Sequence, residues 1–121
     1  MPKKVDLSCL EKREMLNDAG ASSAMLLSWG EHYEEVGSLY DAVDFYEKAE
    51  ARDALSRLLG RAREEGNVFL FRRLVRLLGL DPGLDELTAL ARRAEELGKL
   101  AFAAEATRLS GAAGSLDEPK S

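Results

Sequence analysis

Residues 30–37 read Gly-Glu-His-Tyr-Glu-Glu-Val-Gly, and they are followed at helical spacings by Ala42, Tyr46 and Ala49. The residues seven and four places before the closing glycine lie on one face of a helix, since they are three apart. The residues five, nine and twelve places after it lie on one face of a second helix. A glycine just beyond a helix lets the chain adopt the left-handed conformation that ends it. This stretch therefore predicts two helices joined by a short turn at Gly37.

The same arrangement recurs twice along the chain. Gly66 follows Gly37 by 29 residues, and Gly98 follows Gly66 by 32. Small or apolar residues recur at the same offsets from each glycine. In repeat order they are Gly30, Leu59 and Ala91, then Tyr33, Ala62 and Ala94, then Ala42, Phe71 and Ala103, then Tyr46, Val75 and Thr107, and finally Ala49, Leu78 and Ser110. A two-helix unit repeated every roughly 20–50 residues is typical of helical solenoids, in which each hairpin covers its neighbour's open apolar side.

Composition favours an all-α protein. Leucine and alanine make up 38 of the 121 residues, isoleucine is absent, and the β-branched residues are five valines and two threonines. Sheets favour β-branched and aromatic residues, whereas leucine and alanine favour helices. We expect about seven helices, with a first helix from about Ser8 to Ala19 and three antiparallel pairs after it. An irregular helical bundle is the alternative packing.

The predicted organisation is a basic tail at 1–5, a single helical-repeat domain at 6–110 and a flexible tail at 111–121. The last helix is expected to end before Gly111, because the residues beyond it are mostly small or polar. The apolar runs are far shorter than the ~20 residues that span a bilayer. Residues 1–4 lack the apolar segment of a secretory signal, and Cys9 is the single cysteine. We therefore expect a cytoplasmic protein that does not enter a membrane.

The segment from Gly30 to Gly37, continued by Ala42, Tyr46 and Ala49, resembles a tetratricopeptide repeat. That family places Gly or Ala, Tyr, Gly, Ala, Phe or Tyr, and Ala at these spacings. The repeat at 23–51 matches all six positions. The repeats at 52–83 and 84–114 share the alternation of small and large residues. The resemblance implies a right-handed superhelix whose concave groove, lined by the first helix of each pair, holds a peptide or a partner helix.

The resemblance also implies which residues line that groove. They are Leu27, Glu31, Glu34, Glu35, Asp53, Arg63, Glu64, Arg92 and Glu95. Glutamates dominate the set, and neither Asn17 nor Asn67 belongs to it, which argues against the clamp that holds acidic C-termini in part of the family. We predict a non-catalytic protein–protein interaction module, adaptor or chaperone-like, with a partner of basic or mixed charge. The apolar last helix also suggests a homodimer.

Nucleic-acid binding is a second hypothesis, because charge is unevenly spread. Residues 31–53 hold eight acidic and two basic residues, whereas residues 57–76 hold six arginines and two glutamates. The arginines are Arg57, Arg61, Arg63, Arg72, Arg73 and Arg76. The net charge of −5 argues against it, since nucleic-acid domains are usually basic. Phe69 and Phe71 are expected in the core and not on a stacking surface.

A metal or enzyme site around His32 is the third hypothesis. His32 and Glu35 have the three-residue spacing found in di-iron helical bundles, but those sites need a second such pair and this chain has one histidine. We expect a solvated His32 and a Cys9 that fills a small core position. The sequence predicts no catalytic residue, cofactor or metal.

Overall fold

The computed structural model describes the backbone of residues 6–117 and the side chains of residues 6–111. Within this range the chain forms seven helices and no strand, so the predicted all-α class is confirmed. The helices are α1 (Cys9–Asn17), α2 (Ser23–Glu35), α3 (Leu39–Lys48), α4 (Arg52–Glu65), α5 (Val68–Leu78), α6 (Leu84–Glu96) and α7 (Leu100–Asp117). In the described part of the chain, no helix is both long and apolar enough to cross a membrane.

The chain divides into two compact units, with the boundary between Leu55 and Ser56, inside α4. In the first unit, α2 packs against α3, and α3 also contacts α1. In the second unit, α6 packs against α7, and α7 also contacts α5.

One backbone turn follows α2, α4 and α6. In each case the N–H of the turn glycine donates to the carbonyl three residues back, and the N–H of the next residue donates to the carbonyl five residues back. This is the Schellman motif, which needs a left-handed residue at the turn. The glycines have φ of +85° at Gly37, +65° at Gly66 and +72° at Gly98. The turns predicted at these three glycines are therefore confirmed.

The hairpin α2–α3 is filled by rings. A Cβ on Gly30 would lie 2.5 Å from Cε1 of Tyr46, so the missing side chain makes room for that ring. Tyr33 stacks on Phe45 with ring centroids 5.7 Å apart. Phe45 and Tyr46 are fully buried. A small residue on α2 and a large one on α3 thus complement each other in the first unit.

The second unit is filled by leucine, alanine and phenylalanine. Leu70, Phe71 and Leu74 on α5 are fully buried, as is Ala94 on α6. A Cβ on Gly66 would lie 2.8 Å from Cα of Ala94, so the turn after α4 lies directly on the backbone of α6.

The last helix is longer than predicted. It extends through Asp117, so the expected end before Gly111 was wrong. Gly111 does not adopt a positive φ, and Ala112 and Ala113 have high helix propensity, so nothing there ends the helix. The predicted basic tail at 1–5 and the last four residues of the predicted flexible tail lie outside the described residues.

Candidate partner-binding surface

Four of the predicted groove residues lie on α2. The helix begins at the N-cap Ser22, whose side chain accepts a hydrogen bond from the N–H of Met25 at 3.1 Å. Leu27, Glu31 and Glu35 are four apart in sequence, so they form one stripe along the helix. Leu27 is half-buried, and the two glutamates are exposed. We call these three residues the acidic strip.

Glu34 lies beside the acidic strip but has a different role. Its carboxylate accepts a 2.7 Å hydrogen bond from the hydroxyl of the fully buried Tyr46. Glu34 therefore links α2 to α3. The signal was present in the sequence, because Glu34 stands three places before the turn glycine and Tyr46 nine places after it.

Asp53 is the remaining predicted groove residue of the first unit. It is exposed in the first turn of α4. An acidic residue in a first turn interacts favourably with the positive end of the helix dipole, which is a local role for this carboxylate.

In the second unit, the predicted groove residues Arg63 and Glu64 belong to a network between α4 and α6. The Nε of Arg63 donates to Glu86 at 2.7 Å, and its guanidinium lies over the Phe71 ring. The backbone carbonyl of Glu64 accepts a 2.7 Å hydrogen bond from Nε of Arg93. Sequence reasoning missed Glu86 and Arg93. Arg93 follows Glu64 by 29 residues, and no local sequence pattern links the two.

Arg92 and Glu95, the predicted groove residues of α6, are both exposed. They are three apart and opposite in charge, so they lie near each other on the helix surface. The candidate surface of the second unit therefore carries mixed charge, whereas that of the first unit is acidic.

The C-terminal end of α4 is held by two cations. Arg93 donates to the carbonyl of Glu64, and Nζ of Lys99 donates to the carbonyl of Glu65 at 2.6 Å. The last carbonyls of a helix lack partners within the helix and carry its partial negative charge. The second unit satisfies two of them with side chains from the hairpin α6–α7.

Several arginines of the predicted nucleic-acid cluster are paired with carboxylates. Arg61 bonds Glu65 at 2.8 Å, Arg63 bonds Glu86, and Arg72 lies 3.3 Å from Glu105. These ion pairs reduce the positive field that a phosphate backbone would meet.

The two phenylalanines of that region differ from each other. Phe71 is fully buried, as predicted. Phe69 is 45% exposed and packs edge-on against Phe102 with centroids 5.6 Å apart, so its predicted core position was wrong. Both rings lie on α5 but on different faces, and only the face of Phe71 packs into the core.

His32 is buried, so the expected solvated histidine was wrong. Its Nε2 lies 2.6 Å from Oδ1 of Asp6, and its ring meets Trp29 edge-on at 5.6 Å. His32 faces the segment that precedes α1. The sequence patterns of single helices did not predict that this segment covers His32. Glu35 is exposed. Among the described residues, no three His, Cys, Asp or Glu side chains are grouped so that they could hold a metal ion.

Cys9 is exposed at the start of α1, so the expected core position was also wrong. The physical reason is that α1 buries none of its residues.

Comparisons of the chain with protein-family models, with curated proteins and with solved structures gave no match.

Proposed function

We propose that the chain is a non-catalytic protein–protein interaction module, adaptor or chaperone-like, which binds a basic segment of a partner along the acidic strip. The observation that carries the proposal is the exposure of Glu31 and Glu35, one helical turn apart beside Leu27, on a hairpin with a fully buried aromatic core. The two carboxylates suit successive lysine or arginine side chains, and Leu27 offers an apolar contact between them and the start of the helix.

The close packing of the hairpin supports this proposal. A surface that is ordered before binding loses little conformational entropy when the partner arrives. Exposed ion pairs contribute only up to about 1 kcal/mol each, so the strip would act mainly through charge selection and association rate. We therefore expect affinity to fall steeply with salt.

By the resemblance to the tetratricopeptide family, we also propose Asp53 as a partner contact in the first unit, and Arg63, Glu64, Arg92 and Glu95 as partner contacts in the second unit. In that family, the first helix of each pair lines the groove, and α2, α4 and α6 hold these positions here. The mixed charge of Arg63, Arg92 and their neighbours would fit a partner segment of mixed charge.

The test is an affinity capture from the native lysate with the Glu31→Lys/Glu35→Lys variant beside the wild type. Glu34 is left unchanged, because its bond to Tyr46 supports the hairpin. The matched control is Glu14→Lys/Glu50→Lys, which makes the same change of charge at two exposed positions of the first unit. Thermal unfolding would verify that both variants remain folded.

We expect a partner that the wild type and the control variant retain and the strip variant loses. The recovered partner should carry a lysine- or arginine-rich segment whose synthetic peptide competes for binding. Retention by the strip variant, or equal loss in the control variant, would refute the proposal.

A further inference from the structure

The N-terminal segment is attached to the hairpin α2–α3 by polar contacts at three points. Nζ of Lys12 lies 2.5 Å from Oδ1 of Asp41 and 2.6 Å from Oδ2 of Asp44. The backbone N–H of Leu7 donates to the hydroxyl of Tyr33 at 2.8 Å. The third point is the Asp6–His32 contact described above. These contacts fix the direction and register of α1 on the hairpin.

Among the described residues, little else holds α1 in place. The helix buries none of its residues, and Leu10 is 63% exposed. Its nine residues are fewer than the ~12–15 that form a stable helix alone in water. Most helices in proteins are stabilised by the packing of an apolar face. The apolar face of α1 is only half-buried, so this stabilisation is small.

The receiving surface is well ordered by comparison. Tyr33 is almost fully buried and stacks on Phe45, which is fully buried. Asp41 and Asp44 are three apart on α3 and therefore share a face. The surface is part of the hairpin core, whereas its present occupant is a weakly packed helix.

We propose that the face of the hairpin α2–α3 under α1 is a docking site for a lysine-bearing helix of a partner protein, and that α1 is a removable occupant which the partner displaces. The proposal is independent of the acidic strip, since none of the strip residues contributes to it.

The contacts define the chemistry of the partner helix. Burial lowers the pKa of Lys12, but the hydrogen bonds to Asp41 and Asp44 raise it by more. The net pKa therefore lies above its usual value, and the ammonium stays charged. Burial raises the pKa of Tyr33, whose neutral hydroxyl accepts a backbone N–H. The partner must therefore present a cation to the two carboxylates and a free N–H at the start of its helix.

A gap beside α1 adds one specificity element. A cleft of about 390 Å³ is lined by residues that include Cys9, Lys12, Tyr33 and Asp41. Cys9 is too small to fill it. A partner with a leucine-sized residue three places before its lysine would bury more apolar surface here than α1 does, which favours exchange.

The test uses fluorescein-labelled peptides of residues 6–19 with Cys9→Leu, titrated with the full chain and followed by fluorescence anisotropy. In the intact chain, α1 competes at an effective concentration in the millimolar range. In the Lys12→Ala chain, α1 loses its contacts with Asp41 and Asp44 and competes less strongly with the peptide. We expect it to bind the peptide about tenfold or more tightly than the wild type does.

The controls separate docking from unfolding. A Lys48→Ala chain, which alters a lysine of α3 outside these contacts, should behave as the wild type does. A peptide carrying Lys12→Glu should not bind any chain, and this arm leaves the protein intact. An Asp41→Asn/Asp44→Asn chain should lose the peptide, with circular dichroism reporting whether the fold remains.

Three results would overturn the proposal. They are equal binding to the wild-type and Lys12→Ala chains, binding of the Lys12→Glu peptide, and a dimeric mass of the wild-type chain in light scattering. The last would mean that α1 of a second copy is the occupant. The Glu31→Lys/Glu35→Lys variant should bind the peptide normally, so failure here and failure of the proposed function are distinguishable.

Discussion

The hairpins α2–α3 and α6–α7 close with the same Schellman turn but are filled in different ways. Nine places after the turn glycine, the first hairpin has the fully buried Tyr46 and the second has the exposed Thr107. Seven places before it, the first has Gly30 and the second has Ala91. The backbone geometry is thus shared, while the side-chain volumes are distributed differently.

The difference concerns what each unit packs against a glycine. In the first unit, the glycine inside α2 lies against the Tyr46 ring. In the second unit, the turn glycine Gly66 lies against the backbone of α6 at Ala94. A ring in the first unit and a helix backbone in the second thus serve the same purpose of close packing.

The largest expected effect is at the ninth position after the turn. We expect Tyr46→Ala to lower the free energy of unfolding by about 4 kcal/mol, because it empties a fully buried site. Thr107→Ala at the equivalent place should cost less than about 0.5 kcal/mol. Urea unfolding of the two variants measures both values, and similar losses would show that the hairpins are filled alike.

The next effect is at the turns. Gly66→Ala should cost about 3 kcal/mol, because it combines a left-handed φ with a clash on backbone atoms of Ala94. The matched control is Gly98→Ala, where φ is also positive but no heavy atom lies within 4 Å. It should cost about 1–2 kcal/mol in the same urea experiment. An equal loss of stability at both glycines would mean that the left-handed backbone conformation accounts for the whole loss and that the contact with Ala94 contributes nothing.

A smaller effect is expected at Gly30. An alanine inside a helix normally stabilises it, but here the Cβ meets the Tyr46 ring, so Gly30→Ala should cost about 2 kcal/mol. In a Tyr46→Ala background the same change should become neutral or gain up to ~1 kcal/mol. A double-mutant cycle measures this coupling, and additive losses would contradict the proposed fit between glycine and ring.

The smallest effect compares one carboxylate in each unit. The backbone N–H of Ser8 lowers the pKa of Glu11, and the hydrogen bond from Arg108, with the charges of Arg108 and Arg72, lowers the pKa of Glu105. Each carboxylate therefore contributes stability near neutral pH that is lost as the pH falls through its lowered pKa. Carboxyl titration by NMR should show that high salt moves the Glu105 pKa back toward its usual value more than that of Glu11. Equal salt sensitivity would contradict the assigned causes.

The sequence predicted the features that depend on local chemistry. The turns at Gly37, Gly66 and Gly98 follow from the requirement for a left-handed residue after a helix. The resemblance to the tetratricopeptide family placed Glu31 and Glu35 on a partner-binding surface, and both side chains are exposed.

The features that depend on packing between a helix and segments distant in sequence were predicted poorly. The burial of His32 depends on Asp6, which lies 26 residues away in sequence. Cys9 is exposed because α1 lies on the hairpin through Lys12 and not through an apolar face. Phe69 is exposed because the core of the second unit takes the opposite side of α5. Single-helix patterns carry no information about such neighbours.

Arg93 and Lys99 connect the last hairpin to main-chain atoms of the preceding helix. Both cations belong to residues 84–117, and both end on carbonyls at the C-terminus of α4. A designed array that duplicates this segment would carry its own pair of cations to the end of the preceding helix. These two attachments end on main-chain carbonyls, which every residue type provides, whereas the contact between Gly66 and Ala94 and the bond from Arg63 to Glu86 require particular residues in the preceding helix and turn.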